Sequence, residues 1–266
     1  MMKQATPRKT ISFSAEAFEA INETEIRWLG NSEILLNSRG TCIMVDSVLE
    51  GFELPLLNDM PIKTEEVPKL DGILMTHSDN DHFSLDTLKN LLPVTESFYA
   101  PKYVAELYSK EFHTDAIGHD IHTTFNIEEI KIILTPANHL WQNETSKFDH
   151  VFKLEDYCGF WIETTDGTLW IPGDFRLMEE HLQMPEPDAI LFDFSDNEWH
   201  IGFDNAVKLA NTYPEANLLL SHWGTVDAPN MEAFNANPAD LFDKIVNPDR
   251  MKELAAEERY ILSKDK

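Results

Sequence analysis

In the stretch Thr76-His77-Ser78-Asp79-Asn80-Asp81-His82, four side-chain donors, His77, Asp79, Asp81 and His82, fall within six residues. They follow directly on an apolar run, Gly72-Ile73-Leu74-Met75. Carboxylates crowded into one turn repel one another unless a cation neutralises them. The pattern therefore predicts a strand that opens into a metal-binding loop. Ser84 is a suitable N-cap for a helix over 85–92, which puts the loop between a strand and a helix. A fold that uses this loop must bring further donors to the same edge.

Such donors recur along the chain. Asp46 ends the apolar run 41–46, and His139 follows the strand-like run 130–134. Asp174 follows 168–171 in Pro172-Gly173-Asp174, and His222 follows 217–220 in Ser221-His222-Trp223-Gly224. Singly, His139 and His222 read equally as packed or surface histidines, Asp174 as a turn residue and Asp46 as a helix or turn cap. Their shared placement at strand ends sets them apart, because such ends converge at one rim of a layered sheet. The loop holding Asp193, Asp196, Asn197, Trp199 and His200 also follows a strand, and His200 is a candidate proton donor to a leaving oxygen. Trp141 and Trp223, beside two of these residues, are candidate pocket walls or core. His113, His119 and His122 are irregularly spaced and read as non-ligands.

Elsewhere, runs 24–29 and 32–37 read as strands around Gly30-Asn31, 98–100 and 121–125 as strands, and 102–110 as a helix. Runs 159–163 and 168–171 flank Thr165-Asp166-Gly167 as a hairpin. Residues 140–149 read as a polar surface loop, 188–192 as a strand, 203–212 as a helix and 237–266 as mostly amphipathic helix. No internal repeat divides the 266 residues, so one domain over 1–266 with its core at about 24–225 is expected. No run approaches the ~20 apolar residues of a membrane span. The basic start, residues 1–9, lacks the apolar core of a secretory signal, so a cytoplasmic location is expected. Cys42 and Cys158 sit in apolar strands and read as buried free thiols.

With 21 basic and 47 acidic residues the net charge is 21 − 47 = −26. That field disfavours nucleic acid as a partner, leaving a small-molecule substrate and room for a homo-oligomer. Mixed imidazole and carboxylate donors suit zinc, manganese or iron. A pair of such ions can polarise a carbonyl or phosphoryl oxygen and stabilise the leaving oxygen.

These residues resemble the ligand pattern of the metallo-β-lactamase-fold hydrolases, and within them the branch similar to L-ascorbate-6-phosphate lactonase. That family carries His-x-His-x-Asp-His, an isolated His, an Asp in a Gly-Asp pair and a last His, with a strand-end Asp upstream. Here His77, Asp81 and His82 fit the main motif, His139 the isolated His, Asp174 the bridging carboxylate, His222 the last ligand and Asp46 the upstream Asp. The resemblance implies an α/β fold, a four-layer αββα sandwich with two mixed sheets. It also implies two divalent ions, with a bridging hydroxide acting on a small polar lactone or ester. Catalytic roles are expected for Asp81, His200 and Asp46, the last through hydrogen bonds to the ligands. Asp79 departs from the pattern, standing where the family has its second histidine. It adds a negative charge and a harder oxygen donor at the first ion, which favours manganese or iron. Alternatives are a phosphodiesterase acting on small phosphoesters, or a binding protein whose first ion site is defective.

Overall fold

A computed structural model describes residues 4–144 and 149–264. The first sheet takes β1 (Thr24–Gly30), β2 (Glu33–Ser38), β3 (Thr41–Val45), β4 (Gly72–Leu74), β5 (Phe98–Pro101) and β6 (Ile117–His119) in that order. The second takes β7 (Thr124–Ile127), β8 (Ile130–Pro136), β9 (Cys158–Glu163), β10 (Thr168–Ile171), β11 (Ala189–Asp193), β12 (Asn217–Ser221) and β13 (Met251–Lys252), also in order. A last strand, β14 (Arg259–Leu262), returns to pair with β1.

Side chains alternate across each strand with a period of two, and this sorts the core into three layers. In β3, Ile43 and Val45 pack between the sheets, while Cys42 and Met44 face the outer layer. In β11, Ala189 and Leu191 face inward, and Ile190 and Phe192 face outward. Helices α1 (Leu85–Leu91) and α2 (Lys102–Phe112) cover the first sheet with Leu88, Leu91, Val104, Ala105 and Tyr108. Helix α3 (Phe203–Thr212) covers the second with Ala206, Leu209 and Ala210, beside the short α4 (Pro238–Phe242). The expected αββα sandwich is therefore present. Both cysteines are buried and free, as expected. Ser84 caps α1, its Oγ accepting from the Thr87 backbone N–H at 3.2 Å.

Strands β3 to β6 run parallel, as do β10 to β13. Each parallel set ends at one edge, and that edge places the loops after β3, β4, β10, β11 and β12 side by side. No helix among the described residues is long and apolar enough to cross a membrane.

Three expectations are corrected. Residues 237–266 are not mostly helix: α4 spans five residues, Pro248–Arg250 form a 3-10 turn, and β13 and β14 follow in different sheets. Sheet edges want partners for their exposed backbone groups, and this requirement outweighs the local helical pattern. β14 pairs with β1, buries Leu262 and sets Arg259 Nε 2.6 Å from Glu25 Oε2. The strand expected at 121–125 begins instead at Thr124, because His122 turns the chain at φ +69°. The loop expected at 140–149 starts with a 3-10 turn, Leu140–Glu144, that buries Gln142; residues 145–148 of that loop lie outside the described residues.

Candidate metal centre

The strand ends deliver the donors. β4 runs out through Thr76 into His77, and the loop turns back through hydrogen bonds from the His82 and Phe83 backbone to the Asp79 carbonyl at 2.9 and 2.7 Å. Gly173 holds φ +70°, and a Cβ there would lie 2.6 Å from the Cys158 carbonyl oxygen. Only glycine fits that approach, and it presents Asp174 directly after β10. Asp46 and His222 hold φ values of +50° and +56°, uncommon for residues with a Cβ. Such strain persists only where the surroundings enforce it, and here it aims both side chains into the site.

Asp174 is the centre of the arrangement. Its Oδ1 lies 3.2 Å from His82 Nε2 and 2.8 Å from His222 Nε2, while its Oδ2 lies 3.1 Å from His200 Nε2 and 3.9 Å from His77 Nε2. On the far side of His77, Asp79 Oδ2 sits 3.7 Å from His77 Nε2 and 3.3 Å from His139 Nε2. Three overlapping sets of donors result: His77, Asp79 and His139; His77, His82 and Asp174; and Asp174, His200 and His222. Every member but Asp79 is buried.

Two carboxylates orient this ring from behind. Asp46 Oδ2 lies 2.9 Å from His82 Nδ1 and accepts from Thr76 Oγ1 at 2.7 Å, while Asp46 Oδ1 accepts from the Thr76 N–H at 2.7 Å. Asp193 Oδ2 lies 2.8 Å from His200 Nδ1, and Asp193 Oδ1 accepts from Ser195 Oγ at 2.6 Å. In each unit a carboxylate holds Nδ1 and turns Nε2 toward Asp174, the arrangement that fixes the tautomer of a metal-binding imidazole.

Charge follows from these contacts. Burial works to lower the pKa of His200, but Asp174 and Asp193 outweigh it and hold it well above the ordinary value. His82 is raised in the same way against its burial, by Asp174, Asp81 and Asp46. Burial pushes His139 down to about 4 despite Asp79, which leaves it neutral at pH 7. Burial opposes the charge of Asp79, but hydrogen bonding with His139 and His77 prevails and keeps it ionised, well below the usual carboxylate range.

Whether these residues fit a cation is answered by their unpartnered atoms. His77 Nε2, His139 Nδ1, Asp174 Oδ1 and both nitrogens of His222 are buried without a hydrogen bond. The 2.8 Å approach of His222 to Asp174 thus lacks hydrogen-bond alignment. Each such atom costs about 1–3 kcal/mol, and for His77 Nε2, Asp174 Oδ1 and His222 Nε2, which face the centre, a shared divalent ion removes the cost by accepting their lone pairs. The donor set fits.

The structure thus brings His77, Asp79, His82, His139, Asp174 and His222 together at one rim. Asp81 reaches the rim without joining a three-donor set. Its Oδ2 accepts from Asn31 Nδ2 at 3.2 Å and lies 3.8 Å from His82 Nε2. His200, expected as a proton donor, stands among the donors themselves. His113, His119 and His122 join none of the sets. Sequence reasoning missed Gln142 and Tyr157: Gln142 Nε2 donates to Asp79 Oδ1, and Tyr157 Oη donates to Gln142 Oε1. A glutamine three residues after a candidate ligand was the available signal. A cavity of about 270 Å³ opens over the donors, lined by Asp79, Asp81, His139, Asp174 and His200 together with a mainly apolar wall.

Stacked β-sheets with buried His and Asp donors at one rim define a sandwich of the metallo-β-lactamase kind with a candidate metal centre. Residues 41–223 match the beta-lactamase superfamily domain, and the chain belongs to that superfamily. It is 23% identical over 269 aligned residues to N-acyl-phosphatidylethanolamine-hydrolyzing phospholipase D 1 of Caenorhabditis elegans, covering 89% of this chain and 73% of that one. Igni18, a metallo hydrolase of Ignicoccus hospitalis, shares the fold at a TM-score of 0.70 and 16% identity, over 90% of this chain and 98% of that one. An isothiocyanate hydrolase from Delia radicum gut bacteria does so at 0.69 and 17% identity, over 89% and 98%.

Proposed function

We propose that the protein hydrolyses a small carboxylic ester or lactone with two divalent ions, zinc or manganese, with iron also suited to the donors. One ion would be held by His77, Asp79 and His139, the other by His82, His200 and His222 with Asp81 at its edge, and Asp174 would face both. Bound there, the ions supply Lewis acidity and lower the pKa of water. The observation that carries this reading is Asp174, whose buried carboxylate lies within 3.2 Å of His82, His200 and His222 and 3.9 Å from His77 on the other side, beneath an open cavity.

The chain's own groups do the rest. Asp46 and Asp193 hold the imidazoles of His82 and His200 in one orientation. His200 keeps a proton on Nδ1 toward Asp193, so its Nε2 remains directed at the centre. The negative charges of Asp79, Asp81 and Asp174 would sum to −3 against +4 for two ions, leaving +1 before any hydroxide binds. The −26 net charge favours a small substrate over nucleic acid.

A second reading, phosphodiester hydrolysis, is favoured by the name of the Caenorhabditis elegans relative, a phospholipase D. The test is a panel of lactones, p-nitrophenyl esters and bis-p-nitrophenyl phosphate, assayed with added Mn²⁺ or Zn²⁺. Turnover of esters or lactones that Asp174→Ala lowers at least 1000-fold supports the first reading. Turnover of the phosphodiester alone replaces it with the second, and no turnover of any member sinks both.

A further inference from the structure

Apart from Trp141, whose Nε1 donates to His139 Nε2 at 2.7 Å, the wall of the cavity carries chemistry that the ion-binding reading does not use. Phe52 and Leu54 come from the loop between β3 and β4, Trp141 from the turn after β8, Trp199 from the loop after β11, and Met231 and Phe234 from the loop after β12. All six are incompletely buried, and Trp199 is 37% exposed. Apolar surface left in water is unfavourable, and four separate loops converging with it on one cavity mark a binding site.

The wall is built in place. Trp141 and Trp199 stack with ring centroids 5.1 Å apart at 24°. Asn197 Oδ1 accepts from the backbone N–H groups of Trp199 and His200 at 3.0 and 3.1 Å, which sets the indole beside the donors. The Phe52 loop is laddered to the chain after β12, with Leu57 N–H donating to the Thr225 carbonyl and Asp227 N–H to the Pro55 carbonyl, both at 2.8 Å. The bridge between Trp223 and Asn235 anchors the Phe234 loop.

Charge is equally one-sided. Among the described residues, no Lys or Arg lines the cavity, whereas the exposed Glu53 does. Arg176 lies between the two tryptophan loops but is engaged elsewhere. Its Nε donates to the Glu198 carbonyl and its Nη1 to Glu144 Oε1, both at 2.8 Å. An anionic group away from the reacting bond thus meets no cation, an acidic rim and an acidic protein.

We propose that this aromatic wall is a specificity pocket for an uncharged apolar group of the substrate, and that it excludes anionic ones such as phosphorylated lactones. At water's ~30 Å³ per molecule, the roughly 270 Å³ cavity takes on the order of nine non-hydrogen atoms, the size of a short acyl chain or one aromatic ring. The inference deepens the proposed hydrolysis of small esters, on which it rests, and replaces the polar substrate expected from sequence with an apolar one.

The test uses the metal-loaded protein in two arms. In the first, p-nitrophenyl acetate, butyrate, hexanoate and the anionic mono-succinate are compared by kcat/KM. The expected result is about a threefold gain per added methylene up to hexanoate, carried in KM, and at least a 30-fold deficit for succinate against butyrate. In the second, calorimetric titration with propanamide, hexanamide and octanamide reads binding without turnover. Affinity rises with length to hexanamide in the wild type, and the rise flattens in Trp199→Ala and in Phe234→Ala. A flat amide series in the wild type, or succinate accepted as well as butyrate, overturns the pocket while leaving ester hydrolysis standing. No turnover of any ester, with the amide dependence intact, overturns the hydrolysis and leaves the pocket.

Discussion

Gln142 holds Asp79 by donating to its Oδ1, which leaves Oδ2 facing His139 at 3.3 Å and His77 at 3.7 Å. Tyr157 fixes the amide in turn by donating to Gln142 Oε1. Asp79 is shorter than the histidine the superfamily places there, so its reach depends on where its backbone and this amide hold it. Removing an outer partner of a metal ligand typically weakens the ion 10–100-fold. Gln142→Ala is therefore expected to lower the affinity of one of two bound ions by about that factor, read by competition with a chromophoric chelator. Tyr157→Phe, which leaves the amide in place, shifts it less. An unchanged affinity for both ions in Gln142→Ala rules out the positioning role.

The buried donors also predict how the fold responds to ion removal. A ligand at about 1000 times its dissociation constant stabilises the folded state by ~4 kcal/mol. At roughly 2–4 °C per kcal/mol for a chain of this size, stripping each such ion lowers Tm by about 10 °C. In Asp174→Ala, whose carboxylate faces both groups of histidines, the shift caused by EDTA falls below half the wild-type value. Differential scanning calorimetry with and without chelator checks both expectations, and equal shifts in the two proteins place the ions elsewhere.

Asp193 sets the third prediction. It stands 2.8 Å behind His200 Nδ1, as Asp46 stands 2.9 Å behind His82 Nδ1. Asn in place of Asp193 keeps the shape but removes the charge that holds the imidazole in one tautomer. Asp193→Asn is expected to lower kcat about 10–100-fold with little change in KM, because the cavity wall is untouched. A change confined to KM contradicts the assignment.

The fold was legible because its parallel strands are buried on both faces and so read as continuous apolar runs, as in Ile43-Met44-Val45 and Ile190-Leu191-Phe192. The donors were legible with them, Asp46, His77, His139, Asp174 and His222 each standing within three residues of a strand's end. What stayed hidden has no local signature. Gln142 sits in a polar stretch that reads as surface, and only the fold places it beneath Asp79. β14 reads as a helical tail until the open edge of β1 claims it. His200 lies seven residues past the end of β11, and its membership in the donor ring depends on the turn made by Asn197. Phe52 and Phe234 lie 182 residues apart, in loops brought together by the ladder between 55–57 and 225–227.

Glu33, buried behind the donors, provides a pH-dependent prediction. Its carboxyl is fully buried, Oε2 accepts from the Val48 N–H at 2.9 Å, and Oε1 has no partner. Burial pushes its pKa up to about 8 against the single hydrogen bond from Val48, with Asp46 adding to the rise and His82 opposing it. The folded pKa is raised above the unfolded one, so the folded state binds the proton more tightly. Its contribution to stability is fully present below about pH 4.5 and is lost as pH rises through 8. At ~1.4 kcal/mol per pKa unit, the span amounts to a few kcal/mol. Urea unfolding of the wild type is expected to show stability falling between pH 6 and pH 9. In Glu33→Gln, which cannot ionise, that fall shrinks by a few kcal/mol whatever the absolute stability of the variant. Parallel pH profiles for the two proteins would show that Glu33 is ionised in the fold, and that another group governs the alkaline limb.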